Sequence, residues 1–571
     1  MKRLSFILLS ALSVSVVLSG CSALKSMKKN AGKVQYTVIP QTLEVHGGIV
    51  KADVTVQYPA NYFKKKVTLT STPVVNYTGG SKAMKKIGVQ GEKVRGNYKS
   101  IPYKTGGTFI FSDQVPYSDD MQVSEFRASF LGTKGIKSMV IADVKLADGV
   151  IATSRLLAMT PKMLTAPDEY KRITESAIEG QIMYVINRSE VRKTELEGES
   201  LNQLRADMAA AKANERIEIK NAQVLAYASP DGALDFNTAL SGKRTSTGEQ
   251  VFVKDLKSAN IYDDSKNDFL QLITTPEDWD GFRKLMEEST IKDKELILRV
   301  LQMYSDPVVR EREIKNIAAA YNEIKDQILP QLRRSRLRLN LNVIGLSDQE
   351  IKDLGASNPS VLKLEEVLRA GILFDGDLTR QIAVLESAVR SYPNCWRAKN
   401  NLAEAYMKAG RLNDAETALV AAARIKNDPI VMNNMGALYL LKGDVVKAEE
   451  SLNGAGSAAA VNYNLGLVRT LQGRYADALS KFGNINDVNV ALAKLLSKQE
   501  DAALSTLNNL SSSDALVAYL KAIVGARKGN NDMVYSNLRV AVKDASLKAN
   551  AKKDLEFVKY FNDASFKTIV Q

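Results

Sequence analysis

Residues that could carry out covalent or metal chemistry are few in this chain of 571 residues. It has one histidine, His46, and two cysteines, Cys21 and Cys395. A lone histidine cannot build the usual metal centre or a histidine-based triad without partners, and two cysteines cannot build a cysteine-rich metal site. No paired-carboxylate or nucleophile motif stands out. We therefore expect a protein that is not an enzyme and that has no cofactor and no metal site.

Cys21 closes an N-terminal segment with the features of a secretory signal. A basic start precedes an apolar run over 4–18, which is too short to span a bilayer as a helix. The sequence Leu-Ser-Gly-Cys that ends at Cys21 resembles the lipobox of bacterial lipoproteins. The resemblance implies that 1–20 is a signal peptide and that Cys21 is acylated. Each buried acyl CH₂ contributes about 0.8 kcal/mol, so this lipidation would hold the chain on a membrane outside the cytoplasm.

The net charge of +14 would suggest nucleic acid as a partner of a cytosolic protein. Because the chain is predicted to be exported from the cytoplasm, nucleic acid is not expected as a partner. Part of the charge lies in the segment 21–33, which we predict to be a lipidated tether with lysines at 25, 28, 29 and 33. These lysines suit an anionic membrane surface, or they are simply solvated. Surface-exported lipoproteins often have an acidic cluster here, so we expect the protein to be anchored in the outer membrane, facing the periplasm.

Hydrogen-bonding and ionisable residues cluster where a predicted strand over 217–228 meets a predicted helix. The strand ends in Ala-Tyr-Ala-Ser-Pro-Asp-Gly, and Asn237, Leu240, Ser241 and Arg244 follow at fixed spacing. This pattern resembles the peptidoglycan-associating domain of the outer-membrane-protein-A-like family. The resemblance implies an α+β domain of βαβ type over 175–347, with a helical insertion at about 263–330.

In that family an aspartate after the strand and the helix arginine hold the ammonium and carboxylate of diaminopimelate. The candidate peptidoglycan-binding residues are therefore Ser229, Asp231, Asn237, Ser241 and Arg244. Ser229 stands where the family has its aspartate, and Asp231 would point elsewhere unless the loop is rebuilt. This exchange weakens the contact by about 1–3 kcal/mol. In the alternative interpretation, Asn237 and Ser241 cap and orient the helix, and Arg244 pairs with a local carboxylate.

A cluster of arginines begins a later predicted strand that contains 337–343. Its members are Arg333, Arg334, Arg336 and Arg338. They are either a solvated strand face or a docking surface for an acidic partner or for anionic cell wall. Earlier in the same domain, 181–191 is predicted as a strand and 201–213 as a helix.

The segment 34–165 is predicted to be a β-sandwich domain. Apolar and polar residues alternate over 50–58, and Gly-Gly pairs punctuate the chain at 47–48, 79–80 and 106–107. Asp148-Gly149 lies between two strand-like runs and predicts a hairpin turn. A linker is expected over 158–172.

Small and large residues recur at regular intervals in 355–562. Glycines at 410, 443 and 473 are separated by 33 and 30 residues, with alanine and leucine at matching offsets. This pattern resembles the tetratricopeptide repeat, which implies an α-helical solenoid with a concave groove for a protein or peptide partner.

The first helix of each predicted repeat would line the groove. The candidate groove residues are Asn400, Glu404, Lys408, Asn433, Tyr463 and Leu467. They lack the lysine–asparagine pattern of carboxylate-clamp repeats, so a C-terminal peptide is not specially indicated. Alternatively, the asparagines satisfy backbone groups between repeats.

Together these features predict a multidomain protein: an N-terminal β-sandwich, a central α+β domain and a C-terminal helical solenoid. The predicted function is that of a periplasmic scaffold or adaptor lipoprotein of the outer membrane, which links the envelope, including peptidoglycan, to a protein partner. The alternative, favoured by Ser229, is a docking subunit of an outer-membrane assembly, secretion or surface-fibre complex without peptidoglycan binding. A wall-degrading enzyme that uses scattered carboxylates is the third hypothesis.

Overall fold

The structure, a computed structural model, describes residues 22–262, 265 and 268–571, without the side chains of 318–320. The predicted signal peptide and Cys21 lie outside the described residues. The chain forms two compact units. The first unit contains the described residues up to Ala166 together with Tyr392–Gln571, and the second unit is Pro167–Ser391.

The N-terminal part of the first unit is rich in β-structure. Its elements are α1 (Ser22–Lys29), β1 (Gln35–Ile39), β2 (Thr42–His46), β3 (Ile49–Tyr58), β4 (Thr68–Ser71), β5 (Val74–Tyr77), β6 (Gly80–Ala83), β7 (Ile87–Gly91), β8 (Lys99–Ile101), β9 (Gly107–Pro116), β10 (Ser124–Lys134) and β11 (Lys137–Ile151).

These strands form a continuous hydrogen-bonded network in which β2 joins two groups. Around β3, the strands β1, β2 and β9 pair antiparallel, and β11 then pairs parallel with β2 and antiparallel with β10. The predicted alternation in 50–58 is present, because Val50, Ala52, Val54 and Val56 are fully buried. The prediction of an N-terminal β-region is confirmed.

Two details of this region differ from the expectations. The predicted tether over 21–33 contains α1, whose Leu24 and Met27 are buried in the β-core. The hairpin predicted at Asp148-Gly149 is wrong, because β11 runs through both residues and Gly149 pairs with Ser124. The turn before β11 instead contains Gly135, whose φ of +59° requires the left-handed region.

The second unit combines a small sheet with helices. Its elements are β12 (Ile173–Met183), α2 (Lys193–Leu196), α3 (Glu199–Ala213), β13 (Ile217–Tyr227), α4 (Leu234–Ser258), β14 (Leu270–Thr275), α5 (Trp279–Glu288), α6 (Lys294–Met303), α7 (Pro307–Asn316), α8 (Ala318–Gln327), α9 (Leu329–Leu332), β15 (Arg334–Ile344), α10 (Asp348–Ser357), α11 (Leu364–Leu373) and α12 (Leu378–Ser391).

The described strands of this unit lie in the order β12-β15-β13-β14. The β13–β14 pair is parallel, so α4 is the crossover between them, and the other pairs are antiparallel. Helices α5 to α9 stand between β14 and β15, where a helical insertion was predicted. The strand predicted over 181–191 is misplaced, because β12 ends at Met183.

Helices in antiparallel pairs fill the rest of the first unit. They are α13 (Trp396–Lys408), α14 (Leu412–Ile425), α15 (Pro429–Leu441), α16 (Val445–Asn453), α17 (Ala459–Leu471), α18 (Tyr475–Phe482), α19 (Val488–Leu496), α20 (Glu500–Asn508), α21 (Ala515–Lys528), α22 (Asn531–Ala541), α23 (Ala545–Ala551) and α24 (Ala564–Val570).

Glycine makes the turns inside these pairs possible. Gly410, Gly443 and Gly473 have φ of +74°, +78° and +75°, a region that other residues enter at a cost. The Gly473 turn also contacts the β-region, since a Cβ there would lie 2.9 Å from the Gly47 nitrogen. The predicted helical repeats are therefore present, and the third pair packs on the turn between β2 and β3.

Candidate functional sites

A cavity of about 380 Å³ opens where β13 ends and α4 begins. The polar side chains that line it are those of Asn187, Ser229, Asp231, Asn237, Arg244 and Arg333. The structure therefore brings together most of the candidates that the sequence pattern proposed for peptidoglycan. Among the described residues, the cavity also has an apolar contributor, Phe236, which is about half exposed.

Arg244 is the most deeply buried charged group of the cavity, with 1% of its surface exposed. Its guanidinium donates to the carbonyl oxygens of Arg188 (3.0 Å), Tyr227 (2.9 Å) and Val185 (3.4 Å) and lies 5.0 Å from the centre of the Tyr184 ring. Burial lowers its pKa to about 10, so it remains charged at neutral pH. Of the five N–H groups of a guanidinium, three donate to these described carbonyls, which leaves two for a ligand.

Asp231 lines the cavity from the loop that contains Pro230. The Ser229 hydroxyl donates to one oxygen of the Asp231 carboxylate. Arg333 donates to the other oxygen and to the Ser229 hydroxyl, each at 3.3 Å. Asp231 therefore lies on the cavity wall instead of pointing away, and it is held there by a buried arginine.

Asn237 and Ser241 have local partners. The Asn237 amide donates to the carbonyl oxygens of Ser229 and Gly232, both at 3.1 Å, and so ties the loop to the helix. The fully buried Ser241 hydroxyl donates to the carbonyls of Asn237 (2.7 Å) and Thr238 (3.1 Å). Asn237 thus orients the start of α4, as the alternative interpretation expected, but neither side chain caps this helix, and Ser241 does not line the cavity. The carboxylate expected beside Arg244 is also not its hydrogen-bond partner, since its guanidinium donates to carbonyls.

The other arginines of the predicted basic cluster also have carboxylate partners. Arg334 pairs with Asp278 at 2.8 Å, and both side chains are mostly buried. Arg336 and Arg338 both pair with Glu179. These contacts neutralise much of the cluster and favour a structural role for it.

The second candidate site is the groove of the helical array. An extended segment of the same unit, residues 158–166, lies along this groove; we call it the strap. A short 3₁₀ helix, Thr153–Leu156, precedes the strap, and Ala166 at its far end is fully buried.

Asparagines of successive repeats hold the strap by its backbone. The pairs are Asn401 with Ala166, Asn434 with Leu164, Asn464 with Lys162 and Asn489 with Ala158. In each pair the side-chain amide donates to the carbonyl and accepts from the N–H of the same residue, at 2.7–2.9 Å. Each asparagine thus satisfies both polar groups of one strap residue.

A second row of asparagines, which includes two predicted groove residues, supports these pairs. Asn400 donates to the Leu164 carbonyl at 3.1 Å, and Asn433 donates to the Lys162 carbonyl at 3.0 Å. Both also accept a hydrogen bond of 3.0 Å from the paired asparagine of the next repeat. The asparagines therefore satisfy backbone groups, but those groups belong to the strap.

Some of the remaining predicted groove residues contact the strap, and others lie in the hydrophobic core of the helices. Glu404 accepts a hydrogen bond of 2.6 Å from the Thr165 hydroxyl and forms a 3.1 Å ion pair with Lys408. The Tyr463 ring lies 5.0 Å from the ammonium of the strap lysine. Leu467 is fully buried in a hydrophobic cluster of the helices, and the strap residue Met159 packs against that cluster.

Sequence reasoning missed the paired asparagines themselves. Asn401, Asn434 and Asn464 recur at intervals of 33 and 30, the same intervals as the turn glycines. A polar residue that recurs in phase with a repeat, at a position otherwise buried, was the available signal.

In the described part of the chain, no group of three or more His, Cys, Asp or Glu side chains is arranged to hold a metal ion. None of the described helices combines the length and the apolar character needed to cross a bilayer.

Comparison with known proteins identifies the array. Residues 375–432 match the tetratricopeptide repeat family. The matched residues, which include α12, α13 and α14, are tetratricopeptide repeat sequence. No curated protein matches the chain.

Solved structures with similarity to the chain have low overall scores. The Cut9–Hcn1 hetero-tetramer of the APC/C is 15% identical, with 59% of this chain and 75% of that chain covered and a TM-score of 0.29. PilW, a type IV pilus biogenesis factor, is 18% identical, with 38% and 100% covered and a TM-score of 0.29. Human IFIT1 dimer with m7Gppp-AAAA is 14% identical, with 67% and 82% covered and a TM-score of 0.22.

The repeat match confirms the predicted tetratricopeptide repeats and with them a role in protein–protein interaction. The outer-membrane-protein-A-like identity of the second unit, the lipid anchor and the binding of peptidoglycan stay predictions.

Proposed function

We propose that this protein is a non-enzymatic scaffold, lipid-anchored to the periplasmic face of the outer membrane. In this proposal its second unit binds the stem peptide of peptidoglycan, and its repeats recruit a protein partner. The observation that carries the wall-binding part is the Arg244 guanidinium, which is buried at a solvent-connected cavity and has N–H groups left over for a ligand.

The charges on the cavity wall support an amino-acid ligand with a carboxylate. Arg244 and Arg333 are cationic and Asp231 is anionic, so these three groups together have a charge of +1. A ligand carboxylate can accept from the two N–H groups of Arg244 that the carbonyls do not use, because guanidinium and carboxylate match in geometry. A ligand ammonium can donate to Asp231. Diaminopimelate has both groups.

A sacculus pull-down with the full chain tests this part. We expect the wild type to sediment with purified sacculi, Arg244→Ala to lose at least tenfold in retention, and free diaminopimelate to compete. Arg283→Ala is the matched control, because this exposed arginine lies in the same unit on α5 and its loss changes the net charge equally. Circular dichroism must show that both variants are folded. Equal retention of the three proteins would refute the proposed site.

The second candidate function is a protein-docking subunit that does not bind peptidoglycan. The contacts of Asp231 favour it, because this carboxylate already accepts from Ser229 and Arg333. A ligand ammonium would have to share it with these two donors. Failure of the wild-type chain to sediment with sacculi, while it still captures a protein partner, would select this function.

The anchoring part of the proposal rests on the lipobox-like sequence and on α1. Lys25, Lys28 and Lys29 are on the exposed side of this helix, while Leu24 and Met27 are buried. Lysines so close to an acylated cysteine would be attracted to an anionic surface by about 1 kcal/mol each.

Fractionation of cells that express Cys21→Ser tests the anchor. We expect the wild type in the outer-membrane fraction and the variant in soluble or inner-membrane fractions. Unchanged fractionation would refute the anchor. Release of muropeptides from sacculi by the purified protein would refute the non-enzymatic part.

A further inference from the structure

We infer that the repeat groove is a binding site for extended polypeptide that recognises chiefly the backbone, and that its resident ligand is the strap. The groove is therefore closed to other extended peptides, and a protein partner is recognised by a different surface. This inference concerns the repeats alone and does not depend on wall binding.

The contacts show which part of the ligand is recognised. Each of the paired asparagines bonds to the N–H and C=O of one strap residue, and those groups are present in every amino acid except proline. The paired residues differ in character: Ala158, Lys162, Leu164 and Ala166. Of these, Lys162 is exposed, so its side chain has room to vary.

The spacing defines the class of ligand. The paired residues 162, 164 and 166 alternate, as expected for an extended chain that turns every second residue toward one face. Proline lacks the backbone N–H that would donate a hydrogen bond to an asparagine side chain. Pro161 and Pro167 both fall outside the paired positions. Over 162–166 the ligand is thus an extended segment with an available N–H at every second residue, whereas the Thr160 N–H donates to the Ala158 carbonyl within the strap.

The strap has two advantages over any incoming peptide. It is buried at Pro161 and Ala166, so a competitor must first remove it. It is also part of the same chain, and the preceding 3₁₀ helix is fixed by hydrogen bonds from Thr153 to Glu556 and from Ser154 to the Val45 carbonyl. A segment tethered by a short link has an effective concentration on the order of millimolar, far above that of a partner in a cell.

Limited trypsin digestion of the full chain tests whether the asparagines hold the strap. The bond after Lys162 can be cut only when the strap leaves the groove. Asn464→Ala removes the two hydrogen bonds between Asn464 and the Lys162 backbone and leaves the one from Asn433. We expect cleavage after Lys162 to be about tenfold to a hundredfold faster than in the wild type.

The matched control is Asn462→Ala. Asn462 lies two residues earlier on α17, and its amide donates to Ser457 instead of the strap. Its cleavage rate should equal that of the wild type. Because Asn464 is buried, its replacement could also disturb the helices, so a second variant changes the strap alone. Leu164→Pro removes the N–H that donates to the Asn434 side chain, and it should also speed cleavage. Wild-type rates in both Asn464→Ala and Leu164→Pro would overturn the inference.

Binding of a labelled peptide with the sequence of 158–166 tests closure of the groove. We expect no binding to the wild type at up to about 100 μM, well below the effective concentration of the tethered strap. The double variant Lys162→Pro and Leu164→Pro, whose own strap has lost two of its paired N–H groups, should bind the peptide. Equal binding to both proteins would overturn closure, and binding to neither would overturn the assignment of a peptide site.

Discussion

Replacement of Asp554 by asparagine should change the pH dependence of stability near the C-terminal end of the array. Asp554 is 2% exposed and accepts hydrogen bonds from the Tyr519 hydroxyl at 2.8 Å and the Glu556 N–H at 3.1 Å. Burial, and then the nearby Glu556 charge, raise the pKa of Asp554 from 3.8 to about 6, although Arg527 acts in the opposite direction.

The sign follows from the direction of this shift. The folded state binds the Asp554 proton more tightly than the unfolded state does. The ionised carboxylate therefore destabilises the fold, fully so above the folded pKa, and this cost disappears as the pH falls from about 6 toward 3.8. A shift of about 2 pKa units corresponds to about 3 kcal/mol at neutral pH.

Urea denaturation followed by circular dichroism at two pH values measures the effect. Asp554→Asn cannot ionise, so its stability relative to the wild type should improve by about 2 kcal/mol between pH 4.5 and pH 7.5. Any change in the hydrogen bond to Tyr519 that does not depend on pH cancels in this difference. A relative stability that is the same at both pH values would refute the assigned pKa and the buried, ionised carboxylate.

Further predictions concern a buried ion pair and a turn. Arg334→Ala leaves the Asp278 carboxylate, which is 6% exposed, without its partner, and we expect a loss of about 3–5 kcal/mol by thermal denaturation; a loss under 1 kcal/mol would contradict the burial of this pair. Gly473→Ala adds a Cβ 2.9 Å from the Gly47 nitrogen, whereas Gly443→Ala meets no atom within 4 Å. Both glycines have a positive φ, so each substitution should lower the free energy of unfolding by about 1 kcal/mol through backbone strain. The close contact with Gly47 adds to this loss, so Gly473→Ala should be the more destabilising of the two.

The repeats could be predicted because local physics fixes them. Turn glycines at Gly410, Gly443 and Gly473 have positive φ, and small residues such as Ala415 and Ala448 are fully buried between helices. Both requirements act within one repeat, and therefore they recur in the sequence with the repeat.

The hairpin prediction failed because a long ladder outweighed a local turn preference. Asp148-Gly149 is a favourable turn sequence, but both residues pair with β10 in the register that begins at Lys134 and Lys137. Side-chain packing and pairing across a sheet decide strand boundaries, and a window of a few residues does not contain that information.

The candidate cavity could be predicted only in part. Asn237 and Arg244 follow β13 closely in sequence, so the motif placed them together. Arg333 reaches Asp231 because β15, which begins after it, lies beside β13 in the sheet. This neighbour relation joins residues about a hundred positions apart, and spacing along the chain does not predict it.

The asparagine pairs make the strap sensitive to length rather than to composition. Substitution of an exposed residue such as Lys162 leaves every backbone contact in place. Insertion of one residue after it would turn the N–H groups of Leu164 and Ala166 to the opposite side of the extended chain, away from Asn434 and Asn401. In related sequences, the exposed side chains of the strap should therefore vary while its length stays constant. Connections between domains usually tolerate insertions and deletions, so this expectation is specific to the strap.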